Sequence, residues 1–417
     1  MDSSRRYENT LVGILFFTWG TVFLDRMSQL YLAPYFAPEF HLRHQQIGTL
    51  ASALAITWAG STFLFGALSD RVGRKPILIP AVFAFSALSW ISGLAHSFHQ
   101  LLLIRAVMGI AGGPAWSSLT ALIEESSPPN RRGRNIGRVV SAAALVGLGA
   151  APVLTTQLAA RWGWRPAFFA AGTPGLLMSL LIWKLIKEPA SNGETGHEKP
   201  DPAEYFLILR YRNMWLCSLG AAGFMSWLFV LNVFAPLYLP QIAHLPATEA
   251  GVLLGASGLG SFFLGFLLPS LSDRIGRKPV LLILAAMSAV VPLAFLVPML
   301  YVYPLLLAAI VFVTNTGQAI ASLILVLVPT ESVPAQFRAT SIGLTTLAGE
   351  VMGATVAPIL SGALAEKYGL ALTMWLAAVG SAVVFVMSLF LRETAGPGIR
   401  ARVPQAKVGA AGTGLAH

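Results

Sequence analysis

Four ionisable side chains stand inside stretches that are otherwise apolar. Asp25 and Arg26 follow Phe23-Leu24, Arg105 opens Arg105-x-x-x-Gly109, and Glu350 lies within Ala348-Gly349-Glu350-Val351-Met352-Gly353. A charge at the centre of a bilayer costs about 2.5–3.5 kcal/mol on insertion scales, so it persists where it meets a watery cavity or a partner. A guanidinium offers a planar fork that pairs bidentately with a carboxylate, and a shielded carboxylate can hold or release a proton. These are tools for binding charge rather than for breaking bonds. No phosphate-cradling loop, Cys/His cluster or nucleophile motif accompanies them. The expectation is therefore no catalytic residue, no metal site, no cofactor and no enzyme.

The elements that must carry these residues are long apolar helices. Of 417 residues, 55% are hydrophobic and 11% charged, with mean hydropathy +0.69. A soluble domain carries about 25% charged residues, so the solvent of this chain is lipid. Stretches of about 20 apolar residues number twelve, the first near 11–36 and the last near 370–391. The polar start, Met1 to Thr10, runs into the first without a small-residue cleavage site, and reads as a spanning helix rather than a signal peptide. The lone cysteine, Cys217, excludes an internal disulfide.

The net charge of +10 is unevenly placed. Loops on one side hold Arg71, Arg74, Lys75, Arg131, Arg132, Arg134, Arg274, Arg277, Lys278 and Arg338, whereas the other side holds only Arg43, Arg161, Arg165 and Lys367. That asymmetry predicts a cell (inner) membrane protein with both termini in the cytoplasm. It excludes a nucleic-acid partner as the reason for the charge.

The chain is also written twice. Ser69-Asp70-Arg71-Val72-Gly73-Arg74-Lys75-Pro76 returns 203 residues later as Ser272-Asp273-Arg274-Ile275-Gly276-Arg277-Lys278-Pro279. Glu125-Ser126, Pro128, Arg132 and Ile136-Gly137 return 206 residues later as Glu331-Ser332, Pro334, Arg338 and Ile342-Gly343. Gly147-x-x-x-Ala151-Pro152 and Gly353-x-x-x-Ala357-Pro358 mark a fifth and an eleventh helix with small, closely packing faces. The predicted fold is all-α and polytopic, with twelve transmembrane helices in two pseudo-symmetric six-helix bundles. The bundles are 1–187 and 213–392, joined by a polar linker at 188–212 and followed by a disordered cytoplasmic tail at 393–417.

In this organisation the chain resembles a major facilitator superfamily transporter over nearly its whole length. The first loop matches that family's G-x-L-x-D-R-x-G-R-K signature through Gly66, Leu68, Asp70, Arg71, Gly73, Arg74 and Lys75; the second has Pro269 at the leading glycine. The resemblance implies that Asp70, Arg71, Arg74, Asp273, Arg274 and Arg277 gate the cytoplasmic side. Asp70 would reach the eleventh helix near Ala339-Thr340-Ser341, and Asp273 the fifth near Arg134-Asn135. Fixing loop shape and topology is the alternative role.

The repeat separates scaffold from function, because residues needed only for a substrate need not recur. By the repeat offsets Asp25 and Arg26 map to Trp227 and Leu228, Arg105 to Val311, and Glu350 to Ala144, so none has a charged twin. Phe23-Leu24-Asp25-Arg26 resembles the first-helix D-R pair of the organic-anion (anion:cation, acid:proton symporter) branch. That resemblance implies that Arg26 binds a substrate carboxylate with help from Arg105, and that Asp25 takes part in proton coupling. Those relatives often carry an acid seven residues after the fourth-helix arginine; here Gly112 stands there, so the coupling acid is Asp25, Glu350 or both. An Asp25–Arg105 contact would equally serve as a buried ion pair. Glu350 is open to three readings: a proton carrier, a ligand for an amine or hydroxyl, or an acid bonded to Thr345 or Thr346.

Gln29, Asn232, Asn315 and Gln318 are the expected polar lining of the cavity, with Tyr31, Trp58, Trp116 and Trp227 as aromatic candidates. The function expected is proton-coupled import of a small organic anion, a carboxylate, by a monomer in the bilayer, with an ion gradient as energy source. The alternative is a proton-driven efflux antiporter. Its fifth-helix signature survives here only as Gly147-x-x-x-Ala151-Pro152-x-x-Thr155-Thr156, which keeps the proline and loses three glycines.

Overall fold

Backbone amides in an apolar stretch find no water in lipid, so each segment satisfies them internally as a helix. The computed structural model describes residues 3–128, 131–188, 208, 210–334 and 337–394. Within them run α1 Ser3–Glu39, α2 His44–Val72, α3 Lys75–Gly93, α4 Phe98–Ser126, α5 Arg132–Trp162, α6 Trp164–Leu185, α7 Arg212–Gln241, α8 Ala247–Ile275, α9 Arg277–Phe295, α10 Pro304–Glu331, α11 Thr340–Tyr368 and α12 Ala371–Phe390. Eleven of the twelve are long and apolar enough to cross a membrane; α2, with 29 residues, completes the set. Most of the expected linker and the tail beyond Thr394 lie outside the described residues.

The two halves repeat the same packing. α1 lies on α5, α2 on α4 and α3 on α6; correspondingly α7 lies on α11, α8 on α10 and α9 on α12. The hairpins between α2 and α3, and between α8 and α9, turn on Gly73 (φ 110°) and Gly276 (φ 105°). A side chain would be strained at those angles. The tight turn sets the following amides at the exposed start of α3 and α9.

The middle of α5, Ala143–Ala150, and the middle of α11, Gly349–Val356, widen into π-helical turns 206 residues apart. Pro152 and Pro358 follow directly. A proline has no N–H for the carbonyl four residues back and its ring crowds that carbonyl, so the turn before it widens. The widened turn of α11 carries Glu350.

Across the seam between bundles, α2 faces α11 and α5 faces α8. Contact is close from mid-helix, where Gly258 abuts Leu148, to the end remote from the basic loops. Gly48 lies so near the Pro358 carbonyl that a Cβ would overlap it, and its repeat partner Gly251 would bring one to 2.7 Å from the Pro152 carbonyl. At the same end the Ser52 hydroxyl donates to the Thr355 carbonyl (2.6 Å), the Gln45 amide to Glu366 (3.1 Å) and the Tyr31 hydroxyl to Asn232 Oδ1 (2.8 Å). One apolar core runs continuously through both bundles here, while a separate cluster around Leu15, Trp19, Phe85 and Leu119 belongs to the first bundle alone. At the basic end the seam holds an open cavity of about 380 Å³, lined by Asn9, Val12, Gly13, Phe16, Arg138 and Ser141 from the first bundle and Phe266 from the second.

Gly48→Val should wedge the closed end apart. Overpacking of this kind costs roughly 1–3 kcal/mol in a well-packed core. Spin labels at His41 and Lys367 are expected to report a longer distance by pulsed resonance, with the basic end correspondingly narrowed.

Candidate functional site

Helix periodicity puts Trp19, Phe23 and Arg26 on one face of α1, the face that continues down to Asn9, Gly13 and Phe16 at the cavity. Arg26 is only 5% exposed, yet its guanidinium reaches across the seam. Nη2 donates to Glu350 Oε2 at 3.1 Å and lies 3.5 Å from Oε1. The guanidinium carbon sits 4.6 Å from the Trp58 ring in the first bundle and 4.8 Å from the Phe229 ring in the second, with Phe23 at 5.7 Å. Two rings and one carboxylate thus hold the cation, and its Nε has no hydrogen-bond partner. The two charges come from different bundles and neither has a charged repeat mate. They neutralise each other where the bundles meet.

Asp25 points the other way, into the first bundle. Its Oδ2 accepts from the Ser86 hydroxyl at 2.9 Å and its Oδ1 has no partner. The repeat explains this placement. Trp227, which replaces Asp25 in the second bundle, donates its indole N–H to the Ser288 carbonyl at 2.9 Å, on α9, the repeat mate of the helix that carries Ser86. Position 25 thus turns toward the third helix of its own bundle in both halves.

Arg105, fully buried, donates to the Ser92 hydroxyl and to Met108 Sδ, both at 3.1 Å, and lies 5.3 Å from the Phe168 ring. It feels the charge of Asp25, but no ion pair joins the two among the described residues. Arg105 is not brought to Arg26.

The expected polar lining divides in two. Asn232 accepts from Tyr31 and donates to the Leu228 carbonyl. Asn315 donates to the Ser257 hydroxyl (2.6 Å) and accepts from the Gly317 amide. Each amide thus has its oxygen and one of its two N–H groups engaged by protein. The side chains of Gln29, one turn beyond Arg26, and Gln318, on α10 beside Gly265, make no hydrogen bond among the described residues. Thr345 bonds the backbone of its own helix and Leu325, not Glu350.

At the basic end, the twin loops build twin networks. Arg74 pairs with Glu125 at 2.7 Å and Arg277 with Glu331 at 2.8 Å. Asp273 pairs with Arg277 of its own loop at 2.7 Å and is largely exposed; it makes no bond to α5, whose Asn135 donates instead to Glu8 and Ser127. Arg274 is exposed, and the side chains of Asp70 and Arg71 lie outside the described residues, as does that of Ala339. Two acids missed in the sequence complete the networks. Glu188 accepts from the Arg74 and Lys75 amides (2.6 and 2.9 Å), and Glu393 from the Arg277 and Lys278 amides (2.7 and 3.0 Å). Each closes the last helix of its bundle onto the start of the third, where free N–H groups favour an anion. Their spacing of 205 residues, just past α6 and α12, was the available signal.

Among the described residues, no group of three or more His, Cys, Asp or Glu side chains could hold a metal ion. The sequence profile of the family described as the Major Facilitator Superfamily matches residues 15–355. The chain belongs to the Major Facilitator Superfamily. It is a multi-pass membrane transporter and not an enzyme. It is 28% identical over 285 residues to a "Probable 4-methylmuconolactone transporter" of Cupriavidus pinatubonensis (strain JMP 134 / LMG 1197), covering 67% of this chain and 66% of that one. It is 28% identical over 291 residues to the "Hexuronate transporter" of Bacillus subtilis (strain 168), covering 66% and 68%. The chain thus spans about two thirds of the length of these curated relatives. Its fold is similar to that of a point mutant of the nucleoside transporter NupG, with TM-score 0.76 at 13% identity over 92% of this chain and 99% of the other. These relatives include transporters named for organic acids, in keeping with the organic-anion branch of the superfamily.

Proposed function

We propose that this transporter is a proton-coupled symporter that imports a small organic anion, a carboxylate, by alternating access. The observation that carries this reading is the buried Arg26–Glu350 ion pair across the seam. A guanidinium in such a position is a ready receptor for a carboxylate, and Glu350 occupies the place that the substrate's own carboxylate would take. The relatives named for 4-methylmuconolactone and hexuronate handle organic acids, which is the chemistry an exposed Arg26 would select.

Charge then couples the two fluxes. With the site empty, Arg26 and Glu350 form a neutral pair and the bundles can close over it. When Glu350 takes a proton, Arg26 is released to hold the substrate carboxylate, and the loaded site is again neutral. Substrate without the proton leaves one negative charge in excess; the proton without substrate leaves Arg26 unpaired. Burying either uncompensated charge costs several kcal/mol, so closure and the rocking of the bundles are restricted to the two neutral states. One proton per monovalent anion moves no net charge. A second proton, through Asp25 beside Arg105, would add about 2.3 kcal/mol per 100 mV.

In this reading the basic end faces the cytoplasm and the cavity at Phe16 and Phe266 is the inward opening. Asp70, Arg71, Arg74, Asp273, Arg274 and Arg277 latch that end when the other opens; the exposed Asp273, unattached to α5, fits an unlatched state. Gln29 and Gln318 contact substrate, whereas Asn232 and Asn315 shape the wall. A single chain holds both bundles and the whole site, so the monomer suffices.

The test is transport in proteoliposomes with an acid-outside gradient. Radiolabelled benzoate or gluconate should accumulate inside and the gradient should dissipate faster in its presence. Export of lipophilic cations with no movement of any acid would contradict the reading.

A further inference from the structure

The wall around Arg26 is aromatic to an unusual degree, and resting on the anion reading above we propose that the site takes flat, aromatic carboxylates rather than polyhydroxylated acids. From Arg26 toward the cavity, the face of α1 presents Phe23 and then Trp19, about 10 Å along the axis at 1.5 Å per residue. Trp19 is 4.6 Å from Trp116 on α4 and 6.1 Å from Trp58 on α2, while Phe229 closes the far side of the guanidinium. A benzoate whose carboxylate replaces Glu350 on Arg26 would run its ring along this column, in the edge-to-face and offset contacts that aromatic pairs favour.

A second, independent observation lies at the end of that column. The Trp19 indole N–H belongs to a side chain only 5% exposed, yet it has no acceptor. Buried N–H groups are nearly always bonded, so this donor marks a place for a ligand oxygen, roughly where a para substituent would fall. Hydroxyl-rich acids fit poorly by the same inventory. Each hydroxyl removed from water needs a partner. Asn232 and Asn315 have their oxygens and one N–H each committed to Tyr31, Leu228, Ser257 and Gly317, which leaves one N–H on each with Gln29, Gln318 and Trp19 for a chain of four or five hydroxyls.

The experiment is equilibrium binding to the purified full-length transporter by calorimetry, with benzoate, 4-methoxybenzoate, 4-ethylbenzoate and gluconate as probes. Benzoate is expected to bind at least about tenfold more tightly than gluconate. The methoxy acid, whose ether oxygen can accept from Trp19, should bind about fivefold more tightly than its ethyl isostere, one hydrogen bond's worth. Trp19→Phe keeps the ring, removes the donor and should bring that ratio close to one. Gluconate binding as tightly as benzoate, with both lost in Arg26→Ala, would overturn the aromatic assignment and leave the anion reading standing. A ratio unmoved by Trp19→Phe would also overturn the assigned role of the indole. If no acid of either class binds, the anion reading falls and this inference with it.

Discussion

Arg26→Ala is expected to weaken carboxylate binding by about 100-fold or more and to abolish uptake. Two charge-assisted hydrogen bonds contribute roughly 1.5–3 kcal/mol each, and every 1.4 kcal/mol is a factor of ten. Arg26→Lys should recover little of this, because an ammonium lacks the planar fork and stacks less well between Trp58 and Phe229. The substitution also strands Glu350, 6% exposed, without its partner. Breaking one side of a buried pair costs about 3–5 kcal/mol, so Arg26→Ala should also lower the melting temperature. The double variant Arg26→Ala, Glu350→Gln separates the two effects. Thermal unfolding should return toward the parent value while calorimetric binding stays absent.

Glu350→Gln should uncouple the transporter without silencing it. Glutamine keeps the shape of the acid and matches its protonated charge, so Arg26 is permanently free for substrate. Counterflow exchange of a carboxylate is expected to continue at a rate within about threefold of the parent, while net uptake driven by an acid-outside gradient is lost, because the empty site leaves Arg26 unpaired and does not close. Binding should become stronger at neutral pH, because no resident carboxylate competes for the guanidinium, and it should lose most of its pH dependence. Asp25→Asn is the informative contrast. Asp25 bonds Ser86 inside the first bundle and does not face the seam, so accumulation should survive there in large part. The reverse outcome, with Asp25→Asn uncoupled and Glu350→Gln still accumulating, would move the proton to Asp25.

Much of the scaffold was legible because it repeats. Apolar length gave twelve helices, duplicated loops gave two bundles, and the charges without a mate were Asp25, Arg105, Arg26 and Glu350, of which the last two meet across the seam. Their pairing was not legible. They are 324 residues apart, and whether they meet depends on the rotation of α1 and α11 about their own axes and on a π-helical turn set by Pro358. Asp25 and Arg26 are adjacent in sequence, but neighbouring helical residues point about 100° apart. One therefore entered the bundle and the other the seam. Arg105 followed Asp25 inward, to Ser92, Met108 and Phe168. Type alone marked Asn232 and Asn315 as candidates, and it could not show that protein partners engage the oxygen and one N–H of each amide. Glu188 and Glu393 went unnoticed because each stands past a helix end, where an acid has the look of a solvated surface charge.

The most direct test measures protons during binding. Calorimetric titration of the tightest-binding acid among benzoate, 4-methoxybenzoate and gluconate, repeated in buffers of different ionisation enthalpy, counts the protons exchanged. At a pH where Glu350 is ionised in the empty site, close to one proton taken up per carboxylate bound is expected, and close to none in Glu350→Gln. Tight, Arg26-dependent binding with no proton uptake in the parent, or uptake that persists unchanged in Glu350→Gln, would contradict the exchange of Glu350 for substrate on Arg26.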